Sequence, residues 1–232
     1  MSLDGLVTYV LVLVKPRVAF ARLRERPMWG WAALAGLALT LGAVLIAEPA
    51  QMHLLSLSEA HRIAVLPPGE RLQERIAAAQ VAGLRHSLFI VGALTLPWIT
   101  WFLIALFFFI AATVSRGRTS FGQAWVAALN SYAVYGVAGI VNAGLVALRN
   151  PATIKSPLDL VMVPSLAWLV PHDAALAAFL SAYTVLNVWY YVVVAFALIQ
   201  LLKMSNKAAI AATVGYSLLY GFFAASVAGR GP

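Results

Sequence analysis

The chain has 232 residues, of which 62% are hydrophobic and 10% are charged, and its formal net charge is +8. A soluble domain carries about 25% charged residues, so this composition excludes both an ordinary water-soluble fold and a disordered chain. Cysteine is absent, which excludes disulfides and thiolate chemistry.

Residues 1–26 predict an interfacial amphipathic segment. Apolar residues recur at helical spacing as far as Pro16, which interrupts the helix, and basic residues then follow. Such a segment lies on a membrane surface and binds anionic lipids. The predicted contacts with the inner leaflet are Lys15, Arg17, Arg22, Arg24 and Arg26.

Residues 27–229 predict a membrane domain with five spans. Five stretches lack Asp, Glu, Lys and Arg, and each reaches the roughly 20 residues that a spanning helix needs. An outer loop is expected over 48–92, within which 69–84 has the pattern of a solvated or interfacial helix. The fold class is therefore all-α, an integral membrane bundle of five transmembrane helices with an N-terminal interfacial amphipathic helix. The spans are placed at about 28–47, 93–114, 121–148, 178–202 and 208–228.

Polar and aromatic residues mark the ends of several spans. Ser120 and Gln123 have the spacing of a capping box, and Asp173 and Ser205 are natural N-caps for the last two spans. Gly117 is placed to end the second span. Tryptophan is enriched at membrane interfaces, so Trp98 and Trp101 are expected at the outer interface and Trp125 at the inner one.

The distribution of Lys and Arg indicates the orientation. Five basic residues precede the first span, and the short second and fourth connections add Arg116, Arg118, Lys203 and Lys207. Basic residues near short loops favour the cytoplasmic side, so the N-terminus is predicted inside and the C-terminus outside. Arginine and alanine are abundant, which suggests a bacterial source and hence a place in the cytoplasmic (inner) membrane. The basic residues alternate with apolar spans, so membrane lipids and not nucleic acid are the expected partners.

Spans two to five contain no charged residue, which disfavours a proton or ion pathway. No catalytic motif and no ligand cluster with metal-binding spacing occurs, so neither an enzyme, a metal nor a cofactor is expected. His53, His61, His86 and His172 are interpreted as solvated outer residues. Polar residues align on one face of spans three and four, where they either line a groove or make helix contacts: Asn130, Tyr135, Asn142, Tyr183, Asn187 and Tyr190.

Small residues recur at four-residue steps in two spans. Ala32 and Gly36 form one such stripe, and Ser217 and Gly221 belong to another. Small-residue stripes allow helices to approach closely in lipid. They are expected to pack the five helices against one another, and the alternative is contact with a second copy of the chain or with a partner membrane protein.

Five short motifs follow one another along the chain: Pro16-Arg-Val-Ala-Phe20-Ala-Arg-Leu23, Pro27-Met-Trp29, Gly117-Arg-Thr-Ser120-Phe121-Gly-Gln123, Leu186-Asn187-Val-Trp189 and Met204-Ser205-Asn-Lys207-Ala208. In their order and spacing the chain resembles the bacterial branch of the Yip family (Yip-domain) of five-span membrane proteins. The resemblance implies an α-helical protein with a cytosolic N-terminus and no catalytic residues. Eukaryotic members act in vesicle trafficking and membrane shaping and bind Rab-type GTPases through cytosolic regions, but this chain has only about 26 residues before its first span.

Two functions follow from these patterns. The first is a non-enzymatic integral membrane protein that organises membrane or scaffolds a partner complex. The alternative is a small transporter or lipid-translocating protein that uses a polar groove between the third and fourth helices. The two differ in whether Asn142 and Asn187 face a cavity or lie in tight helix contact.

Overall fold

The computed structural model describes residues 3–115, 119–170 and 173–228. All regular secondary structure in these ranges is helical, apart from one isolated antiparallel bridge between Ser165 and Thr184. Gly117, Arg116, Arg118, His172 and the C-terminus, for which predictions were made above, lie outside the described residues. The α-helices of the described residues are α1 (Leu3–Val14), α2 (Pro16–Glu25), α3 (Gly30–Val65), α4 (Pro68–Ala82), α5 (Arg85–Val114), α6 (Phe121–Ala147), α7 (Ala174–Ser181), α8 (Val185–Gln200) and α9 (Asn206–Ala228).

Four helices, α3, α5, α6 and α9, are long and apolar enough to cross a membrane within the described ranges. Helix α6 lies at the centre, with most of its residues buried, and packs against α1, α3, α5 and α8. Its start agrees with the predicted capping box, because the Gln123 N–H donates to Ser120 Oγ and the Ser120 N–H donates to Gln123 Oε1. The predicted caps Asp173 and Ser205 also accept hydrogen bonds, at the starts of α7 and α9.

The predicted fourth span over 178–202 is not one continuous helix. The chain forms α7, leaves the helical conformation at residues 182–184, and starts again as α8. Thr184 is extended and its hydroxyl accepts from the Asn187 N–H at 3.1 Å, which caps α8. Backbone hydrogen bonds join this break to residues 164–166, as Val185 N–H donates to Pro164 O and Leu166 N–H donates to Tyr183 O. The fourth apolar stretch is thus interrupted because its backbone pairs with another segment.

The predicted outer loop over 48–92 is also mostly helical. Helix α3 continues through Pro49 to Val65, so its 36 residues are about 54 Å long, well beyond the roughly 30 Å of a hydrocarbon core. Helix α4 confirms the helix expected over 69–84. Ion pairs from α3 to the following helices join Arg62 to Glu74 and Glu59 to Arg85. These ion pairs join the last turns of α3 to α4 and to the start of α5.

The N-terminal segment is helical as predicted, but one side of it belongs to the core. Val12 on α1 and Phe20 and Leu23 on α2 are buried, and the Trp189 indole N–H donates to Leu13 O at 3.0 Å. These contacts attach α1 and α2 to the bundle, chiefly to α6 and α8. The opposite side of α1 is apolar and exposed, at Leu3, Val7, Val10 and Val14.

The tryptophans predicted at opposite interfaces lie side by side, so that prediction is wrong. The rings of Trp98 and Trp125 stack with centroids 6.5 Å apart. Trp101 is fully buried beside Tyr132, with its ring over Gly36, where a Cβ would come within 2.8 Å of the indole. The prediction rests on the preference of tryptophan for membrane interfaces. In the structure, the absence of a side chain at Gly36 leaves room for the Trp101 indole in the core.

Candidate polar cavity

Seven tyrosines form a cluster where α6, α8 and α9 meet. The hydroxyls of Tyr135 and Tyr220 are 2.6 Å apart, and those of Tyr190 and Tyr216 are 3.0 Å apart. Aromatic pairs with centroids 4.5–7 Å apart attract one another through their ring quadrupoles, and such contacts connect the whole cluster. Its members are Tyr132, Tyr135, Tyr183, Tyr190, Tyr191, Tyr216 and Tyr220.

A cavity of about 210 Å³ lies beside this cluster, at the break between α7 and α8. We call it the break cavity. Tyr135 and Asn142 line it from α6, Thr184 and Asn187 from the start of α8, and Tyr220 from α9. The sequence therefore predicted three residues that share one cavity, Tyr135, Asn142 and Asn187.

Asn142 fixes one wall of the break cavity. Its Nδ2 donates to Leu160 O at 2.7 Å, and its Oδ1 accepts from the N–H groups of Met162 and Val163 at 2.8 and 3.2 Å. The side chain thus provides hydrogen bonds for three backbone groups of the segment between α6 and α7. Both the donor and the acceptor of the amide are used, so this residue positions the segment that contributes Val161 and Val163 to the lining of the cavity.

The other wall is the start of α8. Asn187 Nδ2 donates to Ala182 O at 3.1 Å, so the side chain turns back onto the break and satisfies a carbonyl that a continuous helix would have used. The Thr184 hydroxyl in turn accepts a hydrogen bond from the Asn187 backbone N–H. The two residues hold the backbone of the break in place while facing the cavity.

A second cavity of about 180 Å³ lies on the opposite side of α6, towards α3. Tyr135, Gly139 and Asn142 line both cavities, and Thr40 and Gln51 line only the second. No charged side chain lines either cavity in the described part of the chain. The available chemistry there is hydrogen bonding by neutral amides and hydroxyls.

Three of the predicted polar residues lie elsewhere and make helix contacts. Asn130 is buried, and its Nδ2 donates to Met28 O at 3.1 Å and to Val126 O. The bond to Met28 holds the residues just before α3 against α6. Tyr183 donates to Ser217 O at 3.1 Å. Tyr190 pairs with Tyr216 and does not line the break cavity. Asn142 and Asn187 both line the break cavity and hydrogen-bond to neighbouring backbone, so their position does not separate the two functions.

Sequence reasoning missed Thr184 and Tyr220. Tyr220 follows Tyr216 by four residues on α9, so both tyrosines lie on one face, a spacing that could have revealed them. Thr184 carries no comparable signal, since its role depends on the break in the fourth apolar stretch.

The predicted basic contacts with the inner leaflet are all exposed. They follow the exposed apolar side of α1, and four of them lie on or immediately after α2. The full set is Lys15, Arg17, Arg22, Arg24 and Arg26.

The carboxylates of Asp159 and Glu48 have structural partners. Asp159 accepts from the N–H groups of Lys155 and Ser156, each at 2.9 Å. Partial burial acts to raise the pKa of Asp159, but these N–H groups hold that pKa below its ordinary value. Because the folded pKa is lowered, this contribution to stability is present at neutral pH and is lost as the pH falls through the folded pKa. Glu48 pairs with His86 Nδ1 at 2.6 Å, and the described residues contain no cluster of three metal-ligating side chains.

Comparison with known proteins gives a family and a relative of similar length. A model of the Yip1 domain matches residues 10–228. The chain is 26% identical over 214 residues to "Membrane protein YknW" of Bacillus subtilis (strain 168), which covers 91% of this chain and 86% of that relative. No solved structure matches the chain.

Proposed function

The chain belongs to the Yip1 domain family, and we propose that it is a non-enzymatic integral membrane protein that organises membrane or scaffolds a partner complex. Members of this family are membrane proteins that are not known as enzymes, which supports the non-enzymatic role. The family match does not favour the alternative of a transporter. Partners in such a complex would be a second copy of the chain or another membrane protein.

The observation that carries this proposal is the attachment of α1 and α2 to the bundle. Phe20 and Leu23 are buried in the core while the basic side chains of α2 are exposed. A basic helix that is fixed in this way presents its charges at one depth. Each Lys or Arg near an anionic membrane surface contributes about 1 kcal/mol, and the exposed apolar side of α1 adds hydrophobic contact with the acyl region. The segment is a platform that gathers anionic lipids at the inner leaflet.

The lipid platform is tested by removing charge. In protein purified from bacterial membranes in mild detergent, we expect phosphatidylglycerol to be enriched over its share of the membrane. Replacing Arg22 and Arg24 with glutamine should remove most of this enrichment, because two charges leave the platform. The measurement is lipid mass spectrometry, with crosslinking in cells to detect a stable partner or a second copy.

The matched control is Arg75→Gln with Lys155→Gln, which removes the same charge from exposed positions outside α1 and α2. It should leave the enrichment unchanged. Equal loss in both double variants would contradict the platform. Monomers without bound partner or enriched lipid would contradict the function as a whole.

We also propose five crossings, with the N-terminus in the cytoplasm of a bacterial inner membrane and the C-terminus outside. The fourth crossing is α7 and α8 together. Helix α8 has 16 residues and α7 has 8, which correspond to about 24 Å and 12 Å along their axes. Their combined length suffices for a hydrocarbon core of about 30 Å.

The fourth crossing predicts opposite sides for Asn150 and Ser205. The chain has no cysteine, so single cysteines can be introduced without background labelling. In intact spheroplasts, a membrane-impermeant maleimide should label Asn150→Cys, and should label Ser205→Cys only after permeabilisation. Arg24→Cys and Gln73→Cys serve as inner and outer references. Labelling of Asn150→Cys and Ser205→Cys from the same side would rule out the crossing.

A further inference from the structure

We propose that the break cavity binds an uncharged group that carries hydroxyls, such as the sugar or glycerol of a lipid headgroup or a free polyol. The inference goes beyond the proposed function, since it concerns a cavity that none of the basic residues of the platform lines. It rests on a count of unused hydrogen-bonding positions, on the charge of the lining and on the depth of the cavity.

The first step is the pair of hydroxyls at 2.6 Å on Tyr135 and Tyr220. Two hydroxyls carry two protons, and only one proton lies between the two oxygens. No other acceptor among the described residues contacts this pair. One hydroxyl proton therefore remains for a partner in the cavity that both residues line.

The start of α8 supplies two more positions. Thr184 Oγ1 accepts from the Asn187 N–H, but its own proton has no acceptor in the described ranges. Asn187 donates through Nδ2 to Ala182 O, and no described donor contacts its Oδ1. Two donors and one acceptor thus face a single cavity, which is the pattern that a hydroxyl-bearing ligand satisfies, because each hydroxyl can both donate and accept.

The second step is the charge of the lining. The side chains around the cavity are uncharged, so an ionised ligand would enter without a counter-ion. Moving an unpaired charge into such a site costs several kcal/mol, whereas a neutral polyol exchanges water for the hydrogen bonds named above. A volume of about 210 Å³ is also far larger than the 10–15 Å³ that one water needs.

The third step is depth. Asn142 lies five residues before the end of α6 at Ala147, which is about 7 Å along the helix axis. Tyr135, which also lines the cavity, lies twelve residues before that end, so the cavity extends inward from one end of the bundle. The glycerol and headgroup of a lipid, or a polyol from water, can reach it from that end.

The test uses native mass spectrometry of the purified full-length protein with two probes, monogalactosyldiacylglycerol and free methyl β-galactoside. Wild-type protein should bind at least one probe. Tyr135→Phe combined with Tyr220→Phe removes the spare proton and should weaken that binding about three- to tenfold, the typical effect of one lost hydrogen bond. Tyr190→Phe combined with Tyr216→Phe is the matched control, because it removes both hydroxyls of the neighbouring tyrosine pair outside the cavity, and its binding should equal that of the wild type.

The outcomes separate the sources and the alternatives. Binding of the galactolipid alone supports a lipid headgroup, and binding of the free galactoside as well supports a soluble polyol. The proposal is overturned if neither probe binds, if both tyrosine variants weaken binding equally, or if phosphatidylglycerol competes as strongly as the galactolipid. None of these results depends on lipid enrichment at Arg22 and Arg24, so the two proposals can fail separately.

Discussion

Replacing Gly36 with leucine is expected to destabilise the bundle more than any other single change at a glycine of α3. A Cβ built at Gly36 comes within 2.8 Å of Trp101 Cζ2, and the indole is fully buried against Tyr132 and cannot withdraw. Overpacking of this kind costs about 1–3 kcal/mol, and a branched side chain at so short a distance should reach the upper end. Thermal unfolding in detergent should show a drop of roughly 2–4 °C for each kcal/mol.

Gly144→Leu is the matched control for this prediction. Gly144 lies on α6, and nothing lies within 4 Å of a Cβ built there. Helix propensity alone makes removal of a glycine favourable, so this variant should be as stable as wild type or slightly more stable. Equal melting temperatures for Gly36→Leu and Gly144→Leu would show that the contact between α3 and Trp101 is not close in the folded protein.

The second large effect is expected for Asn142→Ala. The change removes the partner of Leu160 O and of the N–H groups of Met162 and Val163. Each buried group left without a partner costs about 1–3 kcal/mol, so the segment between α6 and α7 should open locally before the bundle unfolds. Hydrogen–deuterium exchange should rise at Met162 and Val163 by at least tenfold, with a lower melting temperature for the whole protein.

Asn150→Ala separates this effect from a general loss of polar side chains. Asn150 is exposed, and its Oδ1 accepts one hydrogen bond, from the Ala152 N–H at 3.0 Å. Water can replace that bond, so exchange at Met162 and Val163 should remain at the wild-type rate. If the exchange rates of these two amides were the same in both asparagine variants, Asn142 would have no special part in holding the segment.

Local sequence signals were enough to predict the elements whose ends depend on neighbouring residues. Helix α6 is predicted over 121–148 and spans Phe121–Ala147, because its start is fixed by a capping box four residues long. The apolar pattern likewise predicted the four long helices α3, α5, α6 and α9 as membrane spans. In each case the hydrogen bonds that define the element lie within it.

The differences arise where a distant segment determines the local structure. The first span is predicted to end at about residue 47, but α3 continues to Val65 and Glu48 within it pairs with His86. The break before α8 depends on pairing between Thr184 and Ser165. Neither partner can be identified from hydropathy, which reports only how apolar a stretch is.

The same contrast between local signals and distant partners applies to the residues of the candidate site. Alignment on a helix face predicted Tyr135, Asn142 and Asn187, whose positions in the break cavity follow from the periodicity of α6 and α8. Tyr190 satisfied the same pattern but faces Tyr216 on α9. Helical spacing places residues on a common face, whereas the neighbouring helix decides whether that face meets a cavity or another side chain.

The hydrogen bond from Trp189 to Leu13 has a consequence for the order in which the protein assembles. It joins residues 176 positions apart, so α1 is synthesised long before its partner on α8. Contacts of such long separation form late because a large loop must close first. Until α8 is made, α1 and α2 are held only by the membrane surface and by α3 and α6, and their docking onto α8 is a late step of folding.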